Sequence, residues 1–531
     1  MARDFRCLGV MLDMSRNAVM RPEEVIRFGE MLGDMGYNTL MLYTEDTYEI
    51  REEPYFGYLR GRYSEKELRA IAASCEKAGV ELVPCVQTLA HLNAVMNWPR
   101  FQKIRDTADI LLAAEEETYV FIDRLFASLR RCFKSRLVNI GMDEAHMVGL
   151  GKYLDRHGFE NRYDILTRHL ARVCDLAKKH GFTPLMWSDM FFRLANHGVY
   201  AQDKPVLPVA EVGELPKDLS LVYWEYYSAD PRRLNGMLAA HKKLGREVWF
   251  AGGAWSWTGF APHNRWTLKA TRAAIRACRA NGVENFLVTL WGDNGAECSR
   301  LALLPSLFAG AEMARGNEDM AAIRQKFKEK YGLPFDAFLK LDLLAPNPGR
   351  TAGESVTNPE KMYLYNEPCL GIFDPCLAGD EGERFAAAAR SLARYKNDPN
   401  FGILFRKEWA LCRVLANKAT LGLDLRRAYQ AGDKEALSAQ IARIRQVEKD
   451  LAVFHRVFRE AWFRENKPHG FDVQDIRLGG LAARLAACRE RLEDYLLTGK
   501  EIPELREELL PPTEKLTWFN RYANNATVNP L

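Results

Sequence analysis

Eight short apolar runs, rich in Val, Leu and Ile, alternate with helix-period segments between the amino terminus and about residue 310. The runs occupy residues 7–12, 39–43, 81–86, 137–141, 184–187, 221–224, 248–251 and 286–291. Such runs are typical of parallel strands that are buried on both faces. Eight strand–helix units in roughly 300 residues predict an α/β fold of the (β/α)8 barrel type. No G-x-G-x-x-G or P-loop motif follows the first run, which disfavours an open nucleotide-binding sheet.

The pattern changes beyond residue 345. A loop rich in Pro, Gly and Asn spans residues 346–359, and long helical patterns follow at 383–395, 401–431, 434–464 and 473–498. Apolar residues recur there at helical spacing, as Leu451, Phe454, Phe458 and Trp462 do. We therefore predict a catalytic barrel over residues 1–315, connecting helices over 316–345 and an α-helical carboxyl-terminal domain over 346–531.

Composition narrows the class of protein. The 74 Lys and Arg residues nearly balance 70 Asp and Glu residues, so no strong field for nucleic acid is indicated. The most apolar stretch, residues 301–314, is shorter than the ~18 residues that a membrane-spanning helix needs. The amino terminus has no apolar signal region, and the eleven cysteines form no C-x-x-C pair. We expect a cytoplasmic protein with reduced thiols and neither nucleic-acid nor membrane partners.

In a barrel of this type, the functional residues follow the carboxyl ends of the strands. Aromatic rings can lie against the apolar C–H faces of a sugar, while carboxylates and Arg bind its hydroxyl groups. We therefore predict a pyranose subsite. Its candidate residues, in strand order, are Arg16; Glu45 and Asp46; His91; Trp187; Trp224, Tyr226 and Tyr227; Trp255 and Trp257; and Trp291 and Asp293.

The most informative segment runs from Asn139 to His146 with the sequence N-I-G-M-D-E-A-H. An apolar strand leads directly into two adjacent carboxylates, Asp143 and Glu144. Two close carboxylates resist simultaneous ionisation, so the pKa of one should be raised. A carboxyl with a raised pKa can act as a general acid near neutral pH.

These features together resemble glycoside hydrolase family 20, the exo-acting β-N-acetylhexosaminidases, over residues 5 to about 315. The resemblance implies that Glu144 is the acid/base and that Asp143 orients the 2-acetamido group of the substrate, whose carbonyl oxygen is the nucleophile. It also implies that Arg16 binds the 3- and 4-hydroxyls, that His91 is the histidine of the third strand, and that Asp293 in W-G-D binds the outer hydroxyls. The implied substrate is a terminal β-linked GlcNAc or GalNAc of an oligosaccharide or glycoconjugate fragment, with no cofactor.

Several positions depart from the family pattern. Many members have H-x-G-G-D-E at the fourth strand, where this chain has Asn139 and Met142, and the usual Pro-Gly-His is Leu-Ala-His at residues 89–91. We expect no α/β domain before the first strand at Cys7. The chain therefore resembles a divergent bacterial branch with a barrel followed by a helical domain. The tyrosine that binds the acetamide is either Tyr226 or Tyr227.

Other functions remain open on the sequence alone. A retaining β-glycosidase with a direct carboxylate nucleophile would pair Glu144 with Asp293 or Glu297. A non-catalytic sugar-binding protein would keep the aromatic residues without needing Glu144. A metal hydrolase is disfavoured because no H-x-H or H-E-x-x-H motif occurs, and we predict no metal. The polar turn at residues 465–472 is a plain inter-helix loop, a segment beside the barrel mouth, or a contact in a homodimer.

Overall fold

A computed structural model describes residues 5–205, 207, 212–257, 259–343 and 359–510 of the chain. Its eight parallel strands form a closed barrel in chain order, with β8 paired to β1. The predicted barrel is therefore confirmed, and each predicted run corresponds to a strand. The strands are β1 Cys7–Asp13, β2 Thr39–Thr44, β3 Glu81–Val86, β4 Leu137–Asn139, β5 Thr183–Trp187, β6 Ser220–Trp224, β7 Glu247–Gly253 and β8 Asn285–Leu290.

Side chains from alternate strand positions fill the barrel interior. All seven residues of β1 are buried, as expected for a strand that is covered on both faces. The interior cluster contains Met11, Met41, Val83, Cys85, Leu185, Trp187, Val222, Trp249, Ala251 and Leu287. Trp224 and Trp291 pack against this cluster and are partly buried. Because Trp224 ends β6 and Trp291 directly follows β8, they mark the carboxyl end of the barrel, where sites in this fold are built.

The helices between the strands have ordinary sequence signals. The helix Glu65–Lys77 starts with a capping box between Ser64 and Glu67, and the helix Pro22–Met35 ends at Gly36, whose φ of 93° suits glycine. The helices up to the end of the barrel are Pro22–Met35, Glu65–Lys77, Asn93–Met96, Glu116–Cys132, Lys152–His157, Arg162–Lys179, Asp189–Ala195, Pro231–Lys242, Asn264–Ala280 and Leu304–Ala314. None of the helices in the described ranges is long and apolar enough to cross a membrane.

The carboxyl-terminal part is helical, as predicted. Its helices are Met320–Tyr331, Phe335–Phe338, Pro359–Tyr365, Glu381–Leu392, Gly402–Lys418, Leu421–Ala431, Lys434–Glu465 and Phe471–Thr498. The prediction of one helix over residues 401–431 is wrong, because the chain turns at Ala419 and Thr420. Arg443 of a neighbouring helix donates to the carbonyl oxygen of Asn417 at 2.6 Å and to Oγ1 of Thr420 at 2.8 Å. This tertiary contact satisfies polar groups at the turn between the two helices, and no local sequence pattern predicts it.

The chain divides into two compact units, which are described separately below. The first unit comprises Met1–Ala254, Thr267–Trp291 and Ser306–Ile323, and the second comprises Trp255–Trp266, Gly292–Pro305 and Arg324–Leu531. The segments that follow β7 and β8 thus belong to the second unit. The domain boundaries predicted at residues 315 and 345 stay predictions, and the loop predicted at 346–359 lies almost wholly outside the described residues.

Candidate active site

The backbone turns sharply just after β4. Gly141, Met142 and Glu144 all have positive φ, at 75°, 70° and 51°. A non-glycine residue in this left-handed region costs about 1–3 kcal/mol and persists where its surroundings hold it, which is common at functional sites. The turn lets two residues that are adjacent in sequence, Asp143 and Glu144, meet different partners.

Asp143 is buried, and each of its two carboxylate oxygens has a polar partner. Its Oδ1 accepts a hydrogen bond from Nε2 of Gln87 at 2.8 Å, and its Oδ2 lies 3.3 Å from Nε2 of His91. The Gln87 side chain also accepts the backbone N–H of Met142 at 3.2 Å, which ties the turn to β3. Burial disfavours ionisation, but His91 and Gln87 outweigh it and hold the pKa of Asp143 below its usual value. Asp143 is therefore an ionised hydrogen-bond acceptor.

Glu144 has a more open environment, since 40% of its side chain is exposed. Its Oε1 accepts a hydrogen bond from Nη2 of Arg193 at 3.0 Å, while its Oε2 lies 3.8 Å from Nε2 of His91. The backbone N–H of Glu144 donates to Oδ2 of Asp189 at 3.1 Å. The two neighbouring carboxylates thus have distinct environments, one buried and one accessible to a ligand.

The carboxyl group whose pKa rises beside Asp143 is Asp189, the second residue after β5. Burial, followed by the negative charge of Asp143, raises the pKa of Asp189 to about 7, although Arg193 acts in the opposite direction. Nε of Arg193 donates to Oδ2 of Asp189 at 2.9 Å. The sequence predicts a raised pKa within the Asp143–Glu144 pair, and for Asp143 the structure gives the opposite direction.

A ring of hydrogen bonds and ion pairs connects the ends of β1 to β4. Nη2 of Arg16 lies 3.1 Å from Oε1 of Glu45, which also accepts a hydrogen bond from the Tyr43 hydroxyl at 3.0 Å. That hydroxyl accepts from Nε2 of Gln87 at 2.9 Å. Gln87 also donates to Asp143, whose other carboxylate oxygen faces Nε2 of His91. Nδ1 of His91 lies 3.3 Å from Nη2 of Arg16, and this contact completes the ring. The barrel therefore brings the predicted residues Arg16, Glu45, His91 and Asp143 together.

Charges within this ring shift one another's pKa values. Burial lowers the pKa of His91, but the carboxylates of Asp143 and Glu45 outweigh burial and raise it to about 9. Burial raises the pKa of Glu45 to about 7, although Arg16 and His91 favour its ionised form. Nε2 of His91 can donate to Asp143 whether the ring is neutral or charged, whereas Nδ1 accepts from Arg16 only when the ring is neutral.

Aromatic side chains from β5, β6 and β8 are grouped in the same unit. The ring of Trp291 lies 4.8 Å from Tyr43 in an edge contact and 6.0 Å from Trp187. Nε1 of Trp291 donates to the hydroxyl of Tyr226 at 3.0 Å, and the Tyr226 ring stacks on Trp224 at 5.1 Å. Tyr227 makes an edge contact with Tyr226 and is 46% exposed. These rings form an apolar surface of the kind that sugar C–H faces contact.

The remaining predicted residues have other surroundings. Asp46 is buried, and its carboxylate accepts hydrogen bonds from Arg60 at 3.3 Å. Trp255 and Trp257 belong to the second unit, where both are buried and their rings lie 5.3 Å apart. Asp293 also belongs to the second unit and starts a short helical turn after β8.

The backbone that follows Asp293 is unusual, because Asn294, Gly295 and Ala296 all have positive φ. Buried side chains of the second unit hold this segment. Lys361 donates to the carbonyl oxygen of Asn294 at 3.0 Å, and Gln474 donates to that of Gly295 at 3.1 Å. Glu465, at the start of the predicted polar turn, accepts the backbone N–H of Arg300 at 2.8 Å. The helices of the second unit therefore fix the loop that carries Asp293.

Glu297, one of the two partners considered for a direct nucleophilic mechanism, is committed elsewhere. Its Oε1 lies 2.6 Å from Nζ of Lys361 and 3.0 Å from Nη1 of Arg477, and its side chain is 1% exposed. A buried carboxylate in such an ion pair is poorly suited to attack a sugar.

Among the described residues, no group of three or more His, Cys, Asp and Glu side chains is placed to hold a metal ion.

Four residues of this site were not among the selected candidates: Tyr43, Gln87, Asp189 and Arg193. Gln87 and Asp189 lie just after β3 and β5, so their strand-end positions were a usable signal. Arg193 lies within the helix Asp189–Ala195, one turn beyond Asp189. Its only sequence signal is the i,i+4 spacing of Asp and Arg, which is common on any helix.

Two family models match the chain. The model of the glycosyl hydrolase family 20 catalytic domain matches residues 5–228, and that of the glycoside hydrolase 20C C-terminal domain matches residues 336–518. Together they cover about three quarters of the chain. The first match contains β1 to β6, with the hydrogen-bonded ring and the Asp143–Glu144 pair.

Individual relatives are distant. A protein named beta-hexosaminidase from Akkermansia muciniphila is 23% identical over 228 residues, which are 36% of this chain and 45% of that protein. Hexosaminidase D of Homo sapiens is 24% identical over 201 residues, which are 35% of this chain and 40% of that protein. The chain thus spans about half the length of the relatives it matches, or less.

A solved structure of a family 20 exo-β-N-acetylglucosaminidase from Vibrio harveyi, in complex with N-acetylglucosamine, aligns with a TM-score of 0.49 and 17% identity. The alignment covers 64% of this chain and 58% of that one. The assignment of the fold rests on the eight paired strands of the chain itself and not on this alignment.

Proposed function

The chain belongs to glycoside hydrolase family 20, and we propose on that premise that it is an exo-acting, retaining β-N-acetylhexosaminidase. The proposed substrate is an oligosaccharide or glycoconjugate fragment with a terminal, non-reducing β-linked GlcNAc or GalNAc. The observation that carries the proposal is the contrast between two adjacent carboxylates: Asp143 is buried beside His91 and Gln87, whereas Glu144 is 40% exposed and binds Arg193. The names of the matched relatives agree with this substrate class.

The first step of the proposed reaction forms one bond and breaks another. Glu144 donates its proton to the glycosidic oxygen as the bond from that oxygen to C1 breaks. The carbonyl oxygen of the substrate's own acetamide forms the new bond to C1 and gives an oxazolinium ion, which keeps its N–H proton. Asp143 accepts a hydrogen bond from the acetamide N–H and stabilises the positive charge that develops there. The low pKa of Asp143 suits this role, because the group must stay ionised.

In the second step a water molecule attacks C1 on the face that the leaving group left. Glu144, now ionised, accepts a proton from this water and is restored for the next cycle. The bond between C1 and the acetamide oxygen breaks, and the acetamide is regenerated. Two displacements at C1 leave the product in the β configuration, so the reaction retains stereochemistry.

Several of the other predicted residues would bind the sugar. We assign the 3- and 4-hydroxyls to Arg16, with Glu45 holding the guanidinium, and the outer hydroxyls to Asp293. Trp224 and Trp291, which are partly buried, would contact the apolar groups of the ring and the acetamide methyl group, while Trp187, which is 1% exposed, packs beneath them in the barrel interior. Of the two candidate tyrosines, Tyr227 is our choice for the acetamide carbonyl, since its side chain is 46% exposed whereas Tyr226 is buried. Comparison of Tyr226→Phe with Tyr227→Phe would test the choice.

A panel of aryl β-glycosides with and without a 2-acetamido group tests the proposal directly. We expect hydrolysis of the 2-acetamido substrates only, and inhibition by a thiazoline that mimics the cyclised acetamide. Equal turnover of plain β-glucosides would favour a direct carboxylate nucleophile and contradict the proposed mechanism. Binding of the glycosides without any turnover would favour a sugar-binding protein instead.

Two further proposals concern context. We propose a cytoplasmic location, which is supported by eleven cysteines that are all buried and free. Cell fractionation would test it.

A homodimer stays a prediction, and light scattering on the purified chain would decide between monomer and dimer.

A further inference from the structure

Two residues outside the proposed chemistry both bind Glu144. Asp189 and Arg193 lie one turn apart on the helix Asp189–Ala195, which directly follows β5. Oδ2 of Asp189 accepts the backbone N–H of Glu144 at 3.1 Å, and Nη2 of Arg193 donates to the Glu144 carboxylate at 3.0 Å. The helix therefore holds both the backbone and the side chain of a single residue.

Arg193 is itself held in one position. Its Nε donates to Oδ2 of Asp189 at 2.9 Å, and its Nη1 donates to the carbonyl oxygen of Gly198 at 3.0 Å. The guanidinium also lies 5.7 Å from the ring centres of Tyr200 and Trp224. Only 15% of the side chain is exposed. A guanidinium with this many fixed contacts can impose its geometry on the one carboxylate that is more open.

The backbone contact has a separate effect. Glu144 has a φ of 51°, in a region that L-residues with a side chain adopt only when they are held there. Its N–H points at the carboxylate of Asp189, which is buried and bridged to Arg193. If this hydrogen bond were lost, the turn could relax and the Glu144 side chain would change direction.

We propose that Asp189 and Arg193 are positioning residues that form a clamp on Glu144, fixing its backbone and its carboxylate for proton transfer. The clamp rests on the proposed function, in which Glu144 is the acid/base. Because Arg193 occupies Oε1, the proton that Glu144 donates is carried by Oε2. A misplacement of about 1 Å at a reacting group can cost about 10²-fold in rate, so the clamp has a measurable effect.

The test compares two substrates that differ in how much they need an acid. One is the unactivated disaccharide GlcNAc-β-1,4-GlcNAc, and the other is an aryl 2-acetamido glycoside with a good leaving group. The parameter kcat/KM reports the first bond cleavage. For Arg193→Gln we expect kcat/KM to fall about 10- to 100-fold on the disaccharide and less than about threefold on the aryl glycoside. Asp189→Asn should show the same difference between substrates.

Further variants separate positioning from folding. Arg193→Lys keeps the buried charge and reaches only one of the two carboxylates, so it should fold and lose an intermediate amount of activity. In a Glu144→Gln background, Arg193→Gln should cause no further loss, because the group that it positions is absent. Arg172→Gln is the matched control, since Arg172 pairs with the exposed Glu116 on the outer helices. Its kcat/KM should equal that of the parent.

Each outcome has one meaning. Equal losses on both substrates, or full additivity with Glu144→Gln, would overturn the clamp while leaving the proposed function intact. A parent chain that is inactive on every 2-acetamido glycoside would contradict the proposed function and, with it, the clamp. Selective loss on the disaccharide, absent in the Glu144→Gln background, supports the clamp.

Discussion

Nε2 of His91 lies 3.3 Å from Oδ2 of Asp143, and the two residues shift each other's pKa in opposite directions. The pKa of His91 rises to about 9, despite burial, because of the charge on Asp143. That of Asp143 falls below its usual value, also despite burial. Asp143 therefore stays ionised, as a group that stabilises a developing positive charge must.

Removal of the proton donor should impair chemistry more than binding. Glu144→Gln keeps the shape of the side chain, and we expect kcat/KM on an unactivated disaccharide to fall by about 10² to 10⁴-fold. An aryl glycoside with a good leaving group should lose less, since it needs little protonation. Steady-state kinetics on both substrates measure this. Glu116→Gln, on an exposed helix position, is the control, and near-parental rates for Glu144→Gln would contradict the assignment.

Arg16→Ala should weaken substrate binding without unfolding the chain. A hydrogen bond to a charged group is worth ~1.5 to 3 kcal/mol, so kcat/KM should fall at least about tenfold. Glu45 would lose its cationic partner, but burial already raises its pKa to about 7, so it can take up a proton at little cost.

The control for this change is Arg27→Ala, which removes an exposed arginine paired with Glu24. Its kcat/KM and melting temperature should match those of the parent. If Arg16→Ala melts normally and keeps the parental kcat/KM, Arg16 does not bind substrate.

The His91–Asp143 pair should make stability depend on pH. The pKa of His91 rises from 6.5 to about 9 on folding, so its contribution is complete below about pH 6.5 and is lost as the pH approaches 9. His91→Gln should therefore lower the melting temperature more at pH 6 than at pH 9.5. Equal losses for His91→Gln would contradict the pair's role.

Lys361 should be important for stability of the second unit. Its ion pair with Glu297 is almost completely buried, and breaking a buried pair typically costs about 3–5 kcal/mol. We expect Lys361→Met to lower the free energy of unfolding by that amount in a denaturant titration. Lys500→Met is the control, since Lys500 and Asp494 are exposed and their pair is worth about 0–1 kcal/mol. A cost below about 1 kcal/mol for Lys361→Met would show that Arg477 alone satisfies Glu297.

The digestion products of an oligomer test whether the enzyme removes sugars only from chain ends. If Arg16 binds the hydroxyls of a terminal sugar, no further sugar fits on the non-reducing side. Digestion of a long N-acetylglucosamine oligomer should therefore release monosaccharide only, from the start of the reaction. Chromatography of early time points checks this, and internal fragments would show an open groove instead.

The sequence by itself determined the barrel and the position of the acidic pair. Residues 7–12 and 286–291 are apolar at almost every position, which identifies strands buried on both faces, and these two strands close the barrel as β1 and β8. Since site residues follow strand ends, Arg16, Glu45, His91 and Asp143 could be selected from local pattern alone, and the structure joins them through one ring of polar contacts.

Only the tertiary structure decided which side chains meet. The contact between Arg193 and Glu144 joins residues 49 positions apart, and the break at Thr420 depends on Arg443 from another helix. Likewise, the loop that carries Asp293 is fixed by Lys361 and its neighbours in the helical part. Local sequence encodes burial and periodicity, which set strands and helices. Ion pairs and hydrogen bonds between distant residues depend on how those elements are arranged in space, and no local pattern records that arrangement.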